Sequence, residues 1–104
     1  MSELKVDKDG FLVNLDDWSP TVAEQLADAE GIVLTPNHWQ IIEAVQAFYR
    51  EFDLSPAMRP LSRYIKTHVG AEQASSIYLM QLFPGSPAKR IAKIAGLPRP
   101  ENCL

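Results

Sequence analysis

Thr35-Pro36-Asn37-His38-Trp39-Gln40-Ile41-Ile42-Glu43-Ala44-Val45-Gln46-Ala47-Phe48-Tyr49-Arg50-Glu51-Phe52 is the stretch whose reading decides the fold. Ile41, Val45, Phe48 and Phe52 recur at i, i+4, i+7 and i+11, with Ile42 and Tyr49 beside them. Residues at that spacing share one face of a helix, so the pattern predicts a long helix whose broad apolar stripe is the centre of the core. Thr35-Pro36 marks its start. A hydroxyl at the cap can accept from the orphan first-turn amides, and proline there loses no hydrogen bond because its position had no partner to offer.

The same punctuation recurs at Ser19-Pro20, Ser55-Pro56 and Ser86-Pro87, and each pair is read as a helix start. Behind Ser19, the residues Val22, Leu26 and Ala29 form a stripe that Gly31 stops. Behind Ser55, Leu61, Ile65 and Val69 do the same up to Gly70. A fourth helix is expected from near Glu72, with Ile77, Met80 and Leu82-Phe83 as its apolar residues before Pro84. The fifth runs from Ser86 to near Ala95, and Gly96 suits a left-handed end. Upstream, Leu4-Lys5-Val6 and Phe11-Leu12-Val13 flank Asp7-Lys8-Asp9-Gly10, a hairpin signal. The expected fold is mainly α, a five-helix bundle with a small N-terminal β-hairpin.

Residues 97–104, Leu97-Pro98-Arg99-Pro100-Glu101-Asn102-Cys103-Leu104, differ in kind. Two prolines bar a helix and favour extended backbone. Eight such residues reach roughly 25 Å at about 3.3 Å each. They read as a mobile C-terminal arm, semi-rigid at its base and freer at its tip, on a single domain spanning residues 1–104.

A chain of 104 residues with 46% hydrophobic and 22% charged residues is one folded domain rather than a disordered tail. The single cysteine excludes a disulfide-knit secreted scaffold. The first nine residues are too charged for a signal peptide, and no apolar run approaches the roughly 20 residues of a membrane span. A reducing, cytoplasmic setting with no membrane partner is the expectation. The net charge of −3 hides a division. Acidic residues concentrate up to Asp53, while from Arg59 onward only Glu72 and Glu101 oppose Arg59, Arg63, Lys66, Lys89, Arg90, Lys93 and Arg99. A basic end of this kind can meet an anionic partner.

Most catalytic constellations are missing. The five glycines are isolated, so no phosphate-cradling loop exists. His38 and His68 lie on different helices without ligands at metal spacing and are read as partly exposed helix residues; no metal or cofactor is expected. Asp16-Asp17 reads as a loop before the first helix. The third and fourth helices could form a helix-turn-helix, yet the would-be reading helix, Glu72 to Phe83, has no Lys or Arg. A DNA partner is therefore not expected.

Cys103 remains. A lone cysteine is ordinarily a small buried hydrophobe, but a penultimate residue beyond two prolines is hard to bury. As a thiolate it is a nucleophile, with a pKa starting near 8.5. Arg99 would lower that value; Glu101 and the terminal carboxylate would raise it. Without a second thiol it cannot run a dithiol cycle, but it can take a partner's sulfane sulfur and hold it as a persulfide.

These residues carry a resemblance. Pro87-Ala88-Lys89-Arg90, then Lys93-Ile94-Ala95-Gly96-Leu97-Pro98-Arg99-Pro100 and the penultimate Cys103, closely resemble the DsrC/TusE family. Asp9-Gly10-Phe11-Leu12, Glu30-Gly31-Ile32, His38-Trp39, Ser55-Pro56-Ala57-Met58-Arg59, Tyr78-Leu79 and Leu82-Phe83-Pro84 extend the likeness over nearly the whole chain. Gly85-Ser86-Pro87 departs from it, since the family usually has glycine directly before that proline. The resemblance implies a DsrC-like helical fold with an N-terminal hairpin and a C-terminal arm. It also implies that DsrC proteins, which serve sulfite reductase, carry a second cysteine at the position of Ala92, whereas TusE-like members keep only the penultimate one.

The implied activity is that of a sulfurtransferase, a sulfur carrier in the relay that makes wobble 2-thiouridine in tRNA. Cys103 would be its catalytic residue. The implied partners are a donor complex of TusBCD type and the tRNA thiouridylase MnmA, alone or with tRNA bound. Lys89, Arg90, Lys93 and Arg99 are the candidates for partner docking. The alternatives are a DsrC-like protein associated with sulfite reductase and a non-catalytic helix-turn-helix regulator.

Overall fold

Five helices form in the computed structural model, which describes residues 4–101. They are α1 (Pro20–Ala29), α2 (Pro36–Phe52), α3 (Met58–His68), α4 (Ser76–Leu82) and α5 (Pro87–Ile94). Three begin where a hydroxyl-proline pair marks the start. Ser19 Oγ accepts the Val22 amide at 3.2 Å, so α1 is capped as expected. At α2 the partner of Thr35 is His38, whose Nδ1 accepts the Thr35 amide at 3.1 Å. This is a capping box with histidine in the place usually held by Glu or Gln.

Two starts differ from the sequence reading. Ser55 caps nothing; α3 begins three residues later with Ala57 as N-cap, and Ser55 is buried. The fourth helix begins at Ser76 rather than near Glu72, with Ser75 Oγ accepting the Tyr78 amide at 3.1 Å. Residues 71–74 form turns instead, and the Ala74 carbonyl takes the Ser62 hydroxyl at 2.6 Å. Shortening α4 also resets its inward face. Leu79 and Phe83, one turn apart, are fully buried, while Ile77 is 72% and Met80 44% exposed.

The expected N-terminal hairpin is corrected to a tight reversal. Among the described residues there is a single antiparallel bridge, Val6 with Leu12, and no strand. The chain turns where Asp7-Lys8-Asp9-Gly10 says it should, with Gly10 at φ 90°. Pairing stops because Asn14, directly after Val13, caps a short 3-10 helix over Leu15–Asp17. Asp16 and Asp17 thus sit in that helix rather than in a plain loop.

The centre of the fold is also not where the longest stripe puts it. α2 supplies the fully buried Ile41 and Ile42 and the nearly buried Val45, but its last apolar residue, Phe52, is half exposed. The short α5 packs against each of the other four helices. Its Ile91, Ala92 and Ile94 have no exposed surface. Burying one isoleucine completely stabilises by roughly 3 kcal/mol, so a short helix closed on several sides is held mainly by packing. The consequence is positional. The helix that carries the arm is the best-anchored element of the molecule.

Candidate functional site

The arm leaves α5 through a fixed exit. Ala95 is the C-cap, Gly96 takes φ 76°, and the amides of Gly96 and Leu97 bond the carbonyls of Lys93 and Ala92 at 3.2 and 2.9 Å. That pair of bonds is a Schellman motif, which requires the left-handed residue that glycine supplies. Two side chains from elsewhere take the last free carbonyls. Trp18 Nε1 donates to Ile94 O at 2.8 Å, and Gln46 Nε2 donates to Ala95 O at 3.0 Å. The direction in which residue 97 leaves the body is therefore set by α1's approach, α2 and α5 together.

Beyond the exit, the next four residues lie on the body. Leu97 and Pro100 are buried. The Pro98 carbonyl accepts the buried Ser55 hydroxyl at 2.6 Å, which explains why that serine is free of capping duty. Arg99 extends over the N-terminal reversal. Its Nη2 lies 2.6 Å from Asp9 Oδ2 and 3.3 Å from Asp7 Oδ2, and its guanidinium carbon sits 4.7 Å from the Phe11 ring centre. Asp7 holds the reversal in shape as well, its Oδ1 accepting the amides of Asp9 and Phe11 at 2.8 and 3.1 Å. Desolvation pushes the Asp7 carboxyl up, but those two amides, the Arg99 guanidinium and the Gly10 amide outweigh it and hold the group below its ordinary value.

The four basic candidates are placed unequally. Arg99 is bound to Asp7 and Asp9 as above. Lys93 Nζ donates to Glu30 Oε1 at 2.9 Å and stands 5.5 Å from the Phe11 ring centre. Arg90 shares the same carboxylate at 3.6 Å. Lys89 takes part in none of the ion pairs among the described residues. Three of the four are thus engaged within the chain. Cys103, the candidate nucleophile, lies outside the described residues, as does the Leu104 carboxylate. Glu101 is the last described residue, and it is exposed.

Sequence reasoning did not single out Ser55, Asp7 or Asp9 as arm contacts, nor Glu30 and Gln46 as partners of α5 and its C-cap. Their partners are remote in the chain, and Ser55-Pro56 reads equally well as a helix start. His38 is a further correction. It is buried rather than partly exposed, edge-on to Phe83 with ring centres 5.2 Å apart, and its Nε2 lies 3.0 Å from the Leu82 carbonyl. A carbonyl only accepts, so Nε2 carries the proton and Nδ1 is the acceptor toward Thr35. His68 is exposed and lies against Tyr64, with ring centres 4.1 Å apart. No helix among the described residues is long and apolar enough to cross a membrane.

The family model described as "DsrC like protein" matches residues 1–104. A protein named sulfurtransferase TusE from Sodalis glossinidius is 46% identical over 103 residues, 99% of this chain and 95% of its own. Among solved structures, Allochromatium vinosum DsrC superposes with a TM-score of 0.87 at 40% identity, over 99% of this chain and 92% of that one. The oxidized gamma-subunit of the dissimilatory sulfite reductase from Archaeoglobus fulgidus superposes with a TM-score of 0.84 at 35% identity, over 99% and 94% of the two chains.

Proposed function

The chain belongs to the DsrC family, and from that premise we propose that it is a single-thiol sulfurtransferase of TusE type, with Cys103 as the residue that carries the sulfur. The observation that carries the reading is the pairing of a near-full-length match to proteins named sulfurtransferase TusE with one cysteine in the chain. The structural neighbours named for sulfite reductase suggest the alternative. Ala92 argues against it, because a wholly buried methyl on α5 stands where the two-cysteine relatives are expected to have their second thiol.

The chemistry needs no cofactor. Cys103 thiolate attacks the outer sulfur of a donor persulfide, R–S–SH. A sulfur–sulfur bond forms to Cys103 as the donor's breaks, the donor cysteine leaves as thiolate, and the hydrogen travels with the transferred sulfur. No net electron is gained or lost. Unloading repeats the step, with an acceptor thiolate attacking the outer sulfur of Cys103–S–SH. The protein's contribution is positioning of the reacting atom.

The finer reading is a place in the relay that makes 2-thiouridine at the tRNA wobble position, in the cytoplasm, between a donor complex of TusBCD type and the thiouridylase MnmA with its tRNA. Lys89, Arg90, Lys93 and Arg99 are the residues proposed to face those partners. Intact-mass analysis after incubation with a cysteine desulfurase and the relay proteins tests the core of it. The wild type should gain one sulfur atom, reversed by reductant and mapped to the C-terminal peptide, and Cys103→Ser should gain none. Thiolation at the wild-type rate by Cys103→Ser would end the proposal.

A further inference from the structure

We propose that Ser55, Asp7 and Asp9 are positioning residues for sulfur transfer: acting through Pro98 and Arg99, they pin the root of the arm so that the thiol is presented from a fixed point on the body. This rests on the carrier reading and deepens it. Three independent restraints converge on three consecutive residues. The Ser55 hydroxyl holds the Pro98 carbonyl from a buried site, two carboxylates hold Arg99 over Phe11, and Pro100 is itself buried. Prolines 98 and 100 stiffen the same segment, so one contact restrains its neighbours.

The effect of the clamp is on reach. From Gly96 to Cys103 is seven residues, a tether of about 24 Å when extended. From Pro100 it is three residues, about 10 Å. Effective concentration at a docked partner falls roughly as the −3/2 power of tether length, so losing the clamp should dilute the thiol about three- to four-fold. The clamp also fixes where a partner must dock, beside the reversal of residues 5–13 and the Ser55 segment. Its ion pairs are exposed and individually weak, so the clamp is reversible rather than a permanent seal.

The test compares the wild type with the triple variant Ser55→Ala, Asp7→Asn, Asp9→Asn. Asparagine at 7 keeps the side-chain oxygen that shapes the reversal, and circular-dichroism melts verify folding. Two measurements are made: backbone order parameters at Leu97, Arg99 and Glu101, and single-turnover sulfur transfer over a range of donor-complex concentrations. The wild type should show rigid values, about 0.85, and the variant values below about 0.6. The limiting transfer rate should fall about three- to four-fold in the variant with half-saturation unchanged, while alkylation of Cys103 by iodoacetamide keeps its rate. Low order parameters in the wild type, or a variant with the wild-type limiting rate, would overturn the clamp. A wild type that is rigid there yet never takes up sulfur would sink the carrier reading and the positioning role with it, whereas a variant as fast as a competent wild type sinks the clamp alone.

Discussion

The Trp18 indole lies so close over Gly96 that a β-carbon at that position would overlap the ring. The contact joins the segment before α1 to the exit of α5, and the same indole donates to Ile94 O at 2.8 Å. Gly96 is therefore required twice, for its φ of 76° and for the space it leaves. Left-handed backbone costs a β-carbon roughly 1–2 kcal/mol, and forcing the indole aside adds about 1–3 kcal/mol. Gly96→Ala should lose about 3 kcal/mol, read as a lower urea midpoint with unchanged slope. A midpoint within error of the wild type would mean that Trp18 does not pack there.

His38 makes a second structural prediction. One ring bonds the start of α2 through Thr35 and the end of α4 through Leu82, 44 residues away. Removing it leaves a carbonyl and an amide without their partners and opens space beside Phe83. Stranding such a part-buried group costs about 1 kcal/mol, and the space opened beside the buried Phe83 adds a similar amount or more. His38→Ala should thus destabilise by about 3 kcal/mol, while His68→Ala, at an exposed ring, should change the melting point by little. Thermal melts of the two variants side by side decide it.

The contrast between these histidines shows what could be read from the chain and what could not. Helix number and most starts obey local rules, because a cap and an apolar period act within four residues of each other. Ser19 and Thr35 conform to them. Ser55 looks the same locally, yet its hydroxyl answers to Pro98, 43 residues on. A tertiary partner outranked the cap, and no local pattern announces that. The hairpin failed for a related reason: Asp-Gly fixes a turn, but the number of paired residues depends on the segment beyond it, and here Asn14 ends the pairing. Of the candidate site, the two prolines after α5 and the chain's one cysteine are legible in sequence, whereas the contacts of Ser55, Asp7 and Asp9 with Pro98 and Arg99 are ones that only folding brings together.

Asp7 gives the acid limb of stability. Its carboxyl is held below the ordinary 3.8 in the folded chain. The unfolded chain therefore binds the proton more readily, so the stabilising contribution is present above the ordinary value. It is lost as pH falls through the depressed one. Melting temperature should drop more steeply below about pH 4 in the wild type than in Asp7→Asn, which keeps the turn but carries no charge. Parallel curves for the two proteins between pH 2 and 6 would show that Asp7 contributes nothing there.

Partner steering should rest on Lys89 more than on Lys93. Lys93 has a side chain only 12% exposed and spends its charge on Glu30 at 2.9 Å, whereas Lys89 enters no ion pair among the described residues. Charge reversal at each then separates two kinds of damage. Lys93→Glu places a carboxylate against Glu30 in a half-buried setting, so stability should fall by about 1–3 kcal/mol, and slower transfer should accompany a lower melting point. Lys89→Glu should melt like the wild type yet associate with an anionic donor surface a few-fold more slowly at low salt. At 1 M salt, where fields decay within about 3 Å, the Lys89→Glu and wild-type association rates should converge. Stopped-flow association across a salt series checks this, and a Lys89→Glu deficit that survives high salt would show contact loss rather than steering.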